Sequence, residues 1–120
     1  MVDVTTAVLI DRSVAHVGGF AGDPTNASYW IVHLKDVVWT LVERVPGERI
    51  VLRTDDGPFP LELTCTWAPF DEDPGKTVVT LRTTGTPTGP RRLLGPVIAS
   101  AIKKANLQDL IELRDLLQPA

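Results

Sequence analysis

The chain has 120 residues, 43% of them hydrophobic and 22% charged, with a net charge of -3 at neutral pH. That suits one domain spanning residues 1–120, with a real core, and excludes a disordered chain. The acidic balance argues against a nucleic-acid-binding protein, since the main basic grouping, Arg91 and Arg92 with Lys103 and Lys104, reads as the solvated face of a helix. Cys65 is the only cysteine, so no intrachain disulfide can form, and no metal or cofactor motif has its ligands at a recognisable spacing. No secretory leader is visible, and no apolar run approaches the roughly 18 residues of a membrane span. The expected compartment is the cytoplasm.

In chain order, residues 2–10 are predicted to form a strand of alternating β-branched residues. Asp11, Arg12 and Ser13 supply capping residues for a short helix over 14–21, weakened by Gly18 and Gly19. A turn at residues 23–26 precedes a second short helix over 27–32. Four strands follow, at 37–45, 49–54, 61–67 and 77–84. They are separated by Pro46-Gly47, by residues 55–58 and by an acidic turn at 71–75. In the third of these, Leu61, Leu63, Cys65 and Trp67 alternate with polar residues, so one face is dry and one wet. Tight turns between short strands imply an antiparallel meander.

After a break at residues 86–90, one long helix is expected over 91–117. Gly95, Ala99, Ile102, Asn106, Leu110, Leu113 and Leu117 fall at spacings of 3 and 4, a single helical stripe. Leu93, Leu94, Val97, Ile98 and Ala101 widen the apolar arc over its first half.

Chemistry-bearing residues are few. His16 and His33 are the neutral-pH acid–base candidates, but neither has an acid at a recognisable pairing position. Cys65, on the apolar face of its strand with no cation beside it, reads as a small hydrophobe. Gly18-Gly19-Phe20-Ala21-Gly22 fits neither the dinucleotide fingerprint nor the Walker motif. Asn26-Ala27-Ser28 is formally a glycosylation sequon, unused in the cytoplasm. Asn106 stands out because it interrupts the core stripe, and an unpaired buried amide costs about 1–3 kcal/mol. It must meet a backbone group, a strand residue, a water or a ligand.

The runs Ile10-Asp11-Arg12-Ser13, Phe20 to Asn26 with Trp30, and Leu41 to Ile50 around Pro46-Gly47 resemble the START-related superfamily. Gly57-Pro58-Phe59-Pro60, Thr64 to Trp67, and Ala105-Asn106 before Asp109-Leu110 resemble in particular its bacterial polyketide cyclase/dehydratase-like branch. The resemblance implies an α+β helix-grip fold, with a curved antiparallel sheet, two short helices and a long C-terminal helix. It departs from the family in length: a hairpin's worth of sequence is missing before Pro46-Gly47, leaving about five strands where the family has about seven.

The expected function is binding of a small hydrophobic, lipid- or polyketide-like molecule between sheet and helix. Trp39, Leu61, Leu63, Cys65, Trp67, Val79, Leu81, Ala99, Ile102 and Asn106 would line the site, with Tyr29, Trp30 and Phe59 near the same space. The alternatives are a cyclase/dehydratase-like enzyme, and a homodimeric interaction protein whose pocket has collapsed. The second rests on the open sheet edge and the wide apolar arc.

Overall fold

The computed structural model describes residues 1–34, 37–56 and 59–118. Gly57 and Pro58, part of one predicted turn and one of the family-like motifs, lie outside them, as does the Arg91 side chain.

The expected α+β helix-grip architecture is what is observed. Five strands form one antiparallel sheet: β1 (Val2–Ile10), β2 (Thr40–Val45), β3 (Arg49–Thr54), β4 (Leu61–Phe70) and β5 (Asp73–Gly85), in the order β1-β5-β4-β3-β2. Two short helices, α1 (Val14–Ala21) and α2 (Ala27–Trp30), follow β1, and a long helix, α3 (Gly95–Leu117), ends the described chain. The β1–β5 register runs unbroken from Val2 opposite Gly85 to Ile10 opposite Thr77. Pro46-Gly47 closes the β2–β3 hairpin, with Gly47 at φ 76° and Glu48 N–H donating to Val45 O (3.1 Å). That left-handed position is the one glycine fills without strain.

Local chemistry explains two of the helical starts. Ser13 Oγ accepts from His16 N–H (3.2 Å) and starts α1. Asp23 Oδ1 accepts from Thr25 N–H (3.0 Å) and Thr25 Oγ1–H (2.7 Å), opening a 3-10 turn at Pro24–Asn26 that leads into α2. Asn26, the sequon residue, instead donates its amide to Phe20 O (3.2 Å).

Several boundaries differ from those predicted. The helix expected over 91–117 is a 3-10 turn at Gly89–Leu94 followed by α3. Pro96 decides the difference: it has no N–H to donate and so belongs in the first turn of a helix, not inside one. The second short helix ends at Trp30, where Ile31 leaves helical geometry. The strand expected over 37–45 starts only at Thr40. Finally, β4 and β5 run past their predicted ends to meet across Asp71-Glu72, through an irregular register at Pro69 and Phe70.

The sheet's inner face and α3 enclose two apolar clusters. The larger joins Ile10, Val17, Trp30, Leu63, Cys65, Trp67, Val79 and Leu81 with Leu110, Leu113 and Leu117 of α3. The smaller joins Val2, Val4, Phe59 and Leu61 with Ile102. Among the described residues, β2 at the far edge pairs only with β3, and its residues are exposed except half-buried Val45.

Candidate functional site

The residues expected to line a ligand site fall mainly into two groups. Leu63, Cys65, Trp67, Val79 and Leu81 belong to the larger cluster, and Leu61 and Ile102 to the smaller, with Ala99 half-buried against it. Trp39 is half-buried and packs against both. Among the described residues, the space beneath α3 is occupied by the chain's own side chains, the largest being fully buried Trp30. Of the other expected aromatics, Phe59 joins the smaller cluster and Tyr29 is exposed.

Asn106 belongs to a set of buried polar groups on α3 and the sheet. Thr83 Oγ1–H, on the inner face of β5, donates to Asn106 Oδ1 (2.6 Å), so a strand residue satisfies that oxygen. Thr6 lies diagonally across the β1–β5 ladder from Thr83, since Thr6 faces Leu81 and Val4 faces Thr83. Three residues along α3 from Asn106, and so on the same side, stands Asp109, with 0% exposure. Its Oδ1 accepts from the backbone N–H of Val32 (3.1 Å) and of His33 (2.9 Å). His33 Nδ1 lies 2.7 Å from the same oxygen. With the carboxylate ionised, Nδ1 carries the proton and donates it to Oδ1.

This pairing gives His33 the acid that no recognisable sequence position offered. The acid lies 76 residues away, where no spacing rule reaches. His16 is exposed, with only its backbone used, in the α1 cap. Burial pushes the Asp109 carboxyl above its ordinary pKa, because the charged form loses water; the hydrogen bonds from His33 and Val32 oppose that without reversing it. Burial likewise pushes the Cys65 thiol up to about 12, so at neutral pH it is an inert apolar group.

Four buried polar atoms have no hydrogen-bond partner among the described residues: Thr6 Oγ1, Trp30 Nε1, Trp67 Nε1 and Asp109 Oδ2. Such orphans cost about 1–3 kcal/mol each and call for an explanation. Trp67 is seated against the glycines of α1. A methyl group on Gly18 would overlap Trp67 Nε1, and one on Gly22 would come within 2.8 Å of Trp67 Cζ2. The Gly18-Gly19-Phe20-Ala21-Gly22 run is therefore a packing surface for an indole. Outside Trp39, a groove of about 270 Å³ is lined by Pro24, Ala27, Ile31, Val37, Val38 and Trp39. Three of these, Ala27, Ile31 and Trp39, also pack into the core.

Sequence reasoning missed Thr6, Thr83, His33 and Asp109 as members of this set. Asp109 was findable, because a carboxylate one turn beyond Asn106 on a core-facing helix must be buried too.

No protein-family model matches the chain, and no curated protein does. Solved structures do. XoxI from Bacillus cereus aligns over 99% of this chain and 97% of its own, at 15% identity and a TM-score of 0.79. A START superfamily protein from Mycobacterium smegmatis aligns over 97% of both, at 11% identity and a TM-score of 0.72. DynU16, from the dynemicin biosynthetic locus, aligns over 99% of this chain and 48% of its own, at 14% identity and a TM-score of 0.75. At these identities the likeness defines the fold: the chain has the START-like helix-grip fold.

Proposed function

We propose that this protein is a binding module for a small, largely apolar molecule that carries a polar group, lipid- or polyketide-like in character, held between the sheet and α3. The observation that supports this most is the buried polar set itself. Thr6 Oγ1, Trp30 Nε1 and Asp109 Oδ2 are orphaned in an otherwise apolar interior, and a hydroxyl or carbonyl on a ligand would satisfy them while its body replaces apolar contacts. Likeness to a protein of the dynemicin biosynthetic locus supports a biosynthetic small molecule as the class. The way in is the groove outside Trp39, so that indole must swing aside. Binding to the folded state raises the melting temperature by mass action. A panel of fatty acids and aromatic polyketides is expected to contain a compound that raises it, more strongly for Trp39→Ala, which opens the path. If no compound stabilises either form, the reading fails.

The His33–Asp109 pair favours a second reading, a cyclase/dehydratase-like enzyme in which Asp109 orients His33 as a general base. On that reading His33→Gln abolishes turnover of a binding compound while leaving its affinity unchanged; equal turnover by the variant removes it. Homodimerisation through β2 is supported by an edge that pairs on one side only, with Leu41 and Val42 43% and 56% exposed. A monomer at all concentrations in sedimentation equilibrium counts against it.

A further inference from the structure

The start of α3 faces solvent with an apolar surface. Leu93, Leu94 and Val97 are 87%, 52% and 68% exposed, and Pro96 and Ala101 are exposed beside them. Val97, Ala101 and Lys104 follow one another at spacings of 4 and 3, which puts them on one side of α3, and Leu93 and Leu94 precede them in the 3-10 turn. Ile98, Ala99 and Ile102 take the opposite side and pack on the smaller cluster. This surface therefore contributes nothing to the core.

Its charge is as unusual as its polarity. No acidic residue occurs between Asp73 and Asp109, whereas the chain as a whole is net -3. Within that stretch, the 3-10 turn and α3 carry Arg91, Arg92, Lys103 and Lys104. Arg92, Lys103 and Lys104 are exposed and make no ion pair among the described residues. An acidic protein has thus gathered unneutralised cations near its most exposed leucine, Leu93, and the exposed Val97.

We infer that this face docks on an anionic lipid surface, with Leu93, Leu94 and Val97 entering the headgroup–acyl boundary and the cations meeting lipid phosphates. A basic rim around an apolar stripe is the chemistry of an interfacial helix. The charge complementarity selects this occupant over a second copy of the chain. Symmetric pairing through the same face would bring two sets of cations together. The inference stands whether or not the interior takes a ligand.

The test is co-sedimentation of the full chain with phosphatidylcholine vesicles and with phosphatidylcholine–phosphatidylserine vesicles, at low and at physiological salt. Binding is expected only with phosphatidylserine, and weaker at the higher salt. Each cation removed, as in Lys103→Gln and Lys104→Gln, should weaken it about fivefold. Leu93→Ser with Val97→Ser should abolish it without changing the melting temperature, since neither side chain is buried. No phosphatidylserine-dependent sedimentation at low salt overturns the proposal, as does binding that ignores the Leu93 and Val97 substitutions. Lipid-free self-association that those substitutions abolish would assign the face to a second copy and equally overturn it.

Discussion

The two halves of α3 have different surroundings. Before Ile102 the helix has no buried side chain among those described, while from Ile102 to Leu117 it has seven. The later half is also tied from outside its own backbone. Asp109 takes the backbone N–H groups of Val32 and His33, and just past the helix Gln118 Oε1 accepts from Asp11 N–H (2.7 Å), fastening it to the end of β1. The earlier half rests on the sheet only through the smaller cluster. One continuous helix thus divides its work: its C-terminal half holds the fold together, and its N-terminal half turns an apolar surface to solvent.

Substitutions can break that division. Leu113→Ala removes a fully buried side chain from the larger cluster and is expected to cost about 2–5 kcal/mol in chemical denaturation, whereas Val97→Ala stays within about 0.5 kcal/mol. Similar costs at the two sites would mean that the halves do not differ. Gly18→Ala tests whether the larger cluster is as tightly fitted as the glycine seat implies. The added methyl overlaps the Trp67 indole, and overpacking of this kind costs about 1–3 kcal/mol. The seat is looser than described if the melting temperature rises, as helix propensity alone would dictate.

The smallest effect is a pH slope. The Asp109 carboxyl is held above its ordinary pKa by burial. The folded chain therefore keeps a proton at pH values where the unfolded chain has lost it. The Asp109 contribution is fully present below the ordinary carboxylate pKa and is lost as pH rises through the raised, folded value. Asp109→Asn lacks this titration. The stability of the parent chain relative to the variant should fall with pH across that window and level off above it; a difference that rises there contradicts the reading. The comparison with the variant matters, because the Arg82 side chain lowers the Asp3 pKa by hydrogen bonding, which tilts stability the other way.

Much of the fold was legible because its signals are local. The Leu61-Leu63-Cys65-Trp67 alternation, the Pro46-Gly47 turn and the stripe ending Leu110-Leu113-Leu117 each need only neighbouring residues, and all three match the observed elements. The errors fell where a single backbone feature decides an end, as at Pro96 and at Val37 to Trp39. The site was legible only in part, and for a different reason. Asn106 drew attention because a polar residue on an apolar stripe is visible locally. Its partner Thr83, and the encounter of His33 with Asp109, are products of the tertiary fold, joining residues 23 and 76 positions apart.

Cys65 carries a practical consequence. It is the chain's single thiol, 1% exposed at the centre of β4, with its ionisation pushed up to about 12. An alkylating reagent at neutral pH therefore finds almost no thiolate until the strand is laid bare. Its labelling rate is a built-in clock for opening of the sheet, readable without introducing a probe, and any occupant of the interior will slow it.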